Sequence, residues 1–321
     1  MNNTSNLKNK LKKVIFIISV NIVTCLVILF LTILCWDLKY GFFPIASTLD
    51  YLIQTTDRLE QDLPFDEKAK SIVVMGCSFA YGKDIETEDT LAYKLQKYSK
   101  RKVYNYAYPA HGIQYVLYKL QYSPFFEQKD LNPEYVIYVF INDHLRRMYC
   151  NYFLLHDNTK YLRYIKTDKN ELKIKSNPMI ITPWDFFTIS PYAREYNHLE
   201  YELKSKDEWF DFLKLHLEEC QKELHKRYKD AKFVVVVFNS EKNSSKCLTN
   251  TCQKSGLVPF HTTRWKELED EGFVVIDFDK PEYDFLNDDE YETPDEMHPN
   301  GKAWDSLVPE IANKLGIKKQ G

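Results

Sequence analysis

Residues 71–82 read SIVVMGCSFAYG, and this stretch decides the fold class. Ile72 to Met75 is a short apolar run that stops at Gly76 and gives way at once to Cys77, Ser78 and Phe79, with Gly82 and a polar segment beyond. A continuous apolar run of this length, bounded by glycine, predicts a strand buried on both faces. A serine just past such a strand lies at the carboxyl edge of an α/β sheet, where ligands bind. It is placed either to cap a following helix or to act as a nucleophile.

Outward from this stretch, apolar runs and helical periodicity alternate. Leu91, Tyr93, Leu95 and Tyr98 fall at helical spacing, Lys102 to Tyr106 reads as a second strand, and Ile113 to Tyr122 returns to helical periodicity. Tyr135 to Ile141, YVIYVFI, is the most strand-like run in the chain and ends at Asn142-Asp143. Lys206 to Tyr228 is an amphipathic helix, Phe233 to Phe238 a strand, Thr262 to Glu271 a helix and Phe273 to Phe278 the last strand. Ala303 to Leu315 closes the chain as a helix. Five strands alternating with helices predict a parallel sheet built from βαβ units. The rhythm breaks at about residues 148–205, where Tyr161 to Ile165 and Glu171 to Ile174 flank the polar turn Thr167-Asp168-Lys169-Asn170 as a hairpin. The surrounding Tyr, Phe and Pro suggest an inserted cap, its aromatics lining a ligand cleft or packing beneath a long loop.

The amino terminus differs in kind. Residues 1–13 are polar and carry Lys8, Lys10, Lys12 and Lys13, whereas residues 14–36 are uncharged and almost wholly apolar. At ~1.5 Å per residue this run spans roughly 34 Å, enough for a bilayer core of about 30 Å. It is longer than the apolar region of a cleavable signal peptide and lacks a small-residue cleavage site after it. The expectation is a single transmembrane helix over residues 14–36, with residues 1–13 cytoplasmic by the positive-inside rule and everything after residue 40 extracytoplasmic. Residues 37–69 read as a connecting arm and residues 70–317 as the compact domain.

Composition narrows the function classes. With 44% hydrophobic and 15% aromatic residues the chain can fill a large core, and a formal charge of −3 gives no basis for nucleic acid binding. Eight scattered histidines and seven cysteines make no metal-ligand spacing, so neither metal nor cofactor is expected. Cys247 and Cys252, in a polar loop, are a disulfide or two free thiols.

Several polar positions follow predicted strands or precede a helix on one side of the inferred sheet: Ser78, the turn from Asn105 to Gly112, Asn142, and Asp295 with His298. Acyl transfer requires a nucleophile, a base to take its proton, a carboxylate to hold that base, and donors for the oxyanion. Ser78, His298 and Asp295 fit the first three roles. Backbone N–H groups after the serine and from the 105–112 turn, with the Asn142 side-chain amide, fit the last.

In these blocks the chain resembles the SGNH, or GDSL-like, hydrolase superfamily, over about Lys70 to Leu315. Gly76-Cys77-Ser78-Phe79 with Gly82 matches the first family block, Asn105 and Gly112 match the second in part, Asn142-Asp143 matches the third, and Asp295-Glu296-Met297-His298-Pro299-Asn300 matches the last in full. The resemblance implies a three-layer α/β/α sandwich with a five-stranded parallel flavodoxin-like sheet. It implies Ser78 as nucleophile, His298 as base, Asp295 as its orienting carboxylate, and oxyanion donors at Ser78, Ala110 and Asn142. Three positions depart from the pattern. Cys77 stands where many members carry aspartate, Ala110 stands where the oxyanion glycine is expected, and Phe140 replaces the glycine of the third block, which implies a narrower pocket and a small acyl group. Cys77 is a minor alternative nucleophile that strand alternation points away from Ser78.

The expected activity is that of a membrane-anchored serine esterase acting on O-acyl, in the first instance O-acetyl, esters of small molecules or cell-surface glycans. The alternatives are a polysaccharide O-acetyltransferase using the same triad, with a membrane acyl-transfer partner, and a catalytically silent binding or assembly protein that keeps the fold.

Overall fold

The computed structural model describes residues 20–24, 27, 58–109, 111–149, 163–176, 205–238, 262–294 and 298–319. The elements run β1 (Ser71–Gly76), α1 (Ser78–Tyr81), α2 (Leu91–Ser99), β2 (Val103–Asn105), α3 (Ile113–Tyr122), β3 (Pro133–Phe140), α4 (Asp143–Tyr149), β4 (Arg163–Lys166), β5 (Leu172–Ser176), α5 (Lys206–Arg227), β6 (Lys232–Val237), α6 (Trp265–Asp270), β7 (Val274–Asp277) and α7 (Gly301–Lys314). Five strands form one sheet in the order β2-β1-β3-β6-β7, every pair parallel. This is the expected doubly wound arrangement. The 105–112 turn follows one neighbour of β1, and Asn142 follows the other.

Both faces of the sheet are covered, which is why its strands are continuous apolar runs rather than alternating ones. On β1, Ile72 and Val74 face a layer with Leu91 and Leu95 of α2 and Trp304, Leu307 and Ile311 of α7. Val73 and Met75 face the opposite layer with Tyr115 and Val116 of α3, Phe210 and Leu213 of α5 and Trp265 of α6. Local signals fix the helix starts. The Thr90 hydroxyl accepts from Tyr93 N, and at α5 Ser205 and Glu208 cap each other's backbone N–H groups.

One element boundary shifts from the sequence expectation. The helix expected over 262–271 is shorter, Trp265–Asp270, because the Thr262 hydroxyl takes the Arg264 N–H into a local turn. Residues of the expected connecting arm touch the sheet and α2: Leu59 O accepts from Asn105 N, and Leu63 O accepts from Gln96 Nε2.

The hairpin β4–β5 forms around the predicted Thr167–Asn170 turn, with Asn170 in the left-handed region at φ 61°. Its Tyr164 is buried and donates to Gln121 of α3 at 2.9 Å. The rest of the expected cap lies outside the described residues, as do Cys247 and Cys252. Of the apolar segment 14–36 only residues 20–24 and 27 are described, and they are helical. Among the described residues no helix is long and apolar enough to cross a membrane.

Candidate active site

The strand-to-helix turn after β1 is tight because of its two glycines. Gly76 has φ 142°, and a Cβ there would sit 3.0 Å from the Val139 carbonyl and 3.2 Å from the Ala80 Cβ. Gly82 ends α1 in the left-handed region at φ 84°, where a Cβ would press on Thr90. Between them the chain folds back so that Gly82 and Lys83 donate to Ser78 O, both at 3.0 Å. Ser78 is thereby fixed at the sheet edge as a residue only 8% exposed.

His298 arrives from the far end of the sequence. Its Nε2 lies 2.8 Å from Ser78 Oγ across 220 residues of chain. The loop that carries it is closed by its own block: Thr293 N donates to His298 O at 2.8 Å, and Glu292 and Pro299 form an antiparallel bridge. Asn300 locks the exit. Its Nδ2 donates to Glu290 O and Glu292 O at 2.8 and 2.9 Å, while its Oδ1 caps α7 by accepting from Lys302 N and Ala303 N. Gly301 opens α7 against the Asp89 carboxylate, which a Cβ would overlap. The Phe79 ring lies 5.1 Å from the His298 ring and 5.6 Å from Phe238, so the imidazole rests on an apolar wall beside the serine.

The 105–112 turn runs alongside β1, with Tyr106 N donating to Val74 O at 2.7 Å and Tyr108 N to Gly76 O at 3.1 Å. Beneath it the buried Lys119 Nζ donates to Tyr106 O at 3.0 Å and lies 4.0 Å from the centre of the Tyr106 ring. Burial brings the Lys119 ammonium down to about 7. His111 stacks on Tyr115 at 4.2 Å, and burial, reinforced by the Lys119 and Arg147 charges, keeps its imidazole neutral by lowering it well below the ordinary range. On the other flank Gly76 pairs with Val139, which brings Asn142, three residues further on, to the same edge as Ser78. The Asn142 carbonyl accepts from Leu145 N at 3.1 Å as α4 begins.

Of the predicted site residues, Ser78 and His298 are in direct hydrogen-bond contact, and Asn142 emerges from the strand beside them. Asp295 and Ala110 lie outside the described residues. Phe140 does not narrow the pocket as the sequence suggested: its ring is fully buried on the layer with α5 and α6, 5.4 Å from Trp265 and 5.9 Å from His144. Strand alternation turns it away from Cys77 and Phe79, which pack on the opposite layer. Cys77 is fully buried, and burial pushes its thiol up, so the sulfur is held protonated beside the serine. Among the described residues no three His, Cys, Asp or Glu side chains are grouped to hold a metal ion.

Three contributors escaped sequence reasoning. Arg58, in the presumed arm, donates to Gly82 O at 2.6 Å and Ile85 O at 2.9 Å, gripping the far end of the serine motif. Lys119 and Arg147 are charged residues on helices, yet both lie under the site. Lys119 falls four residues after Tyr115 and three after Val116, on the apolar face of its helix, and that was the available signal.

No family model and no curated protein matches the chain. Among solved structures it is similar to a member of the lipolytic protein G-D-S-L family from Veillonella parvula, with a TM-score of 0.42 and 10% identity over 77% of this chain and 98% of that one. It is also similar to a carbohydrate esterase family 2 enzyme with a carbohydrate-binding domain from Corynascus thermopiles (Myceliophthora fergusii), at a TM-score of 0.36 and 12% identity over 80% of this chain and 69% of that one. An acetyl xylan esterase from the rumen bacterium Butyrivibrio proteoclasticus gives a TM-score of 0.35 and 12% identity over 80% of this chain and 66% of that one. At these values the likenesses carry no weight for the reaction, whereas the 2.8 Å contact between Ser78 and His298 at the carboxyl edge of a parallel sheet does.

Proposed function

We propose that the chain is a serine esterase of SGNH type that cleaves O-acyl esters. The observation that carries this reading is the 2.8 Å hydrogen bond between His298 Nε2 and Ser78 Oγ, a base in reach of a hydroxyl that a glycine-bounded turn holds at the sheet edge. His298 takes the Ser78 proton as Oγ attacks the ester carbonyl, and returns it to the leaving alcohol. Water then attacks the acyl-Ser78 ester with His298 again as base. The oxyanion is held by the Ser78 N–H, the Asn142 amide and the N–H of Ala110, and Asp295, three residues before His298, orients the imidazole.

The substrate in this reading is an O-acetyl ester of a cell-surface glycan. The apolar segment 14–36, with Lys8, Lys10, Lys12 and Lys13 before it and only Lys39, balanced by Asp37, just after it, supports a single-pass anchor with the amino terminus cytoplasmic and the catalytic domain extracytoplasmic. If a sugar hydroxyl replaces water in the second step, the same residues perform acyl transfer.

Purified full-length chain is expected to hydrolyse p-nitrophenyl acetate, with Ser78→Ala lowering kcat at least about 10³-fold. Absence of turnover, or equal turnover in Ser78→Ala, would sink the esterase reading in favour of a silent binding protein. Acetylated glycan as product when an acceptor glycan is added would assign transfer instead of hydrolysis.

A further inference from the structure

We infer that Arg147 is the positioning residue for Asn142, the proposed oxyanion donor beside Ser78: its side chain clamps the start of α4, while its main chain meets Gln114 just past the 105–112 turn. The inference rests on the esterase reading and assigns a role that the triad does not supply.

Asn142 leads into α4, a helix of only seven residues at the rim of the sheet. A helix this short has little stability of its own, so its placement depends on what grips it. Arg147 does so in two directions. Its Nε donates to Asp143 Oδ2 at 2.7 Å and its Nη2 lies 2.6 Å from the same oxygen in an ion pair, clamping the residue next to Asn142 onto the helix. Its main-chain carbonyl accepts from Gln114 Nε2 of α3 at 3.0 Å. Gln114 stands two residues after Gly112, where the 105–112 turn ends. A Cβ on Gly112 would fall 2.6 Å from Gln114 Oε1 and 3.5 Å from Arg147 Cβ, so the absence of a side chain there is what lets Gln114 fold back and reach α4. Gly112 has φ −105°, so its role is steric and not conformational.

The Arg147 and Asp143 side chains are 12% and 18% exposed. A largely buried ion pair is weak evidence of net stabilisation, because desolvation offsets most of the attraction. What the pair does supply is direction: a guanidinium fork fixes angle as well as distance, which an ammonium cannot do. Near it, the Tyr138 hydroxyl and His144 Nδ1 share a hydrogen bond of 2.6 Å, tying the second residue of α4 to β3. Asn142 is thus bracketed by a strand contact behind it and the Arg147 fork ahead of it.

The test is steady-state hydrolysis of p-nitrophenyl acetate by the full-length wild type and by Arg147→Lys, Arg147→Ala, Asn142→Ala and the double variant Asn142→Ala/Arg147→Ala. Misplacing an oxyanion donor by about 1 Å costs on the order of 10²-fold. Arg147→Ala is therefore expected to lower kcat by about that factor with little change in KM. Arg147→Lys, which keeps charge and bulk but not the fork, should recover only a small part, and added guanidinium ion should partly rescue Arg147→Ala. Asn142→Ala should cost much less in the Arg147→Ala background than in the wild type. Wild-type kcat in Arg147→Lys, or the same Asn142→Ala penalty in both backgrounds, would overturn the inference alone. If Arg147→Ala does not fold, Arg147→Lys and Asp143→Asn decide by the same kcat criterion. A wild type without turnover overturns the esterase reading and this inference with it.

Discussion

The sheet face under α2 and α7 is filled by Ile72, Val74, Leu91, Leu95, Ile137, Val139 and Leu307, whereas the face under α3 and α5 is crowded with Tyr104, Tyr106, Tyr115, Phe126, Tyr138 and Phe210. Buried Lys119 and His216 belong to helices on the second face, which the first does not match among its described residues. The difference teaches how the site is built. Phe79 and Ala80, just after Ser78, pack into the aliphatic layer, so close packing adds to the hydrogen bonds of Gly82, Lys83 and Arg58 in setting the turn. The elements beside it lean on the aromatic layer, where hydrogen bonds and cation–π contacts set their geometry. The same sheet edge is therefore held mainly by apolar packing on one side, with the hydrogen bonds of Gln96 and Ser99 of α2 beside it, and by aromatic and directed polar contacts on the other.

Trp304→Ala probes the packed side. The indole is fully buried against Phe238 at 5.5 Å, and its loss is expected to cost about 3–5 kcal/mol in urea unfolding. If the aliphatic layer is indeed the dry scaffold, the loss should be independent of pH between 7 and 9. A pH-dependent loss would break the comparison.

Lys119→Met probes the other side, through pH. Lys119 titrates at about 7 when folded and near its ordinary 10.5 when unfolded. Between these values the unfolded chain binds more protons, so stability from this group rises with pH; it is lowest below pH 7, where the buried ammonium must stay charged. From pH 7 to 9 the contribution of Lys119 should climb by about 2 kcal/mol. The difference between wild-type and Lys119→Met unfolding free energies in urea should drift by that amount in that direction, and parallel curves would remove the cation from the account.

The smallest effect is expected from Tyr138→Phe. It deletes only the hydroxyl bonded to His144 Nδ1, with a loss of about 1 kcal/mol in stability. If the polar layer positions Asn142, kcat for ester hydrolysis should fall in the same variant, sharpening the contrast with apolar truncations under α2, which should lower stability without changing kcat.

Much of this organisation was legible in the chain. A parallel sheet buried on both faces writes its strands as unbroken Val/Ile/Tyr/Phe runs, so β1, β3 and β6 stood out, and Ser78 and His298, which the structure brings within 2.8 Å, each sit in a compact local block that spacing singles out. What could not be read was which layer each strand residue faces. Phe140 looked like an obstruction in the pocket, but one residue of alternation puts it in the core. Arg58, Lys119 and Arg147 were also hidden. A charged residue on a helix reads as solvated unless its partner is near in sequence, and the partners of Arg58 and Lys119 are carbonyls of Gly82 and Tyr106, reached only after the sheet has formed. Arg147 and Asp143 stand at i,i+4 spacing, but neither their burial nor the reach of Arg147 to Gln114 shows in sequence.

Cys77 and Cys220 are both buried free thiols, one in each layer, and burial pushes both upward. In the closed molecule neither sulfur meets reagent or exists as thiolate, so alkylation of each must await a local opening of its own layer. Among the described residues these are two internal clocks: the rate at which Cys77 reacts with an alkylating agent reports breathing of the aliphatic layer behind the serine, and that of Cys220 reports breathing of the aromatic one.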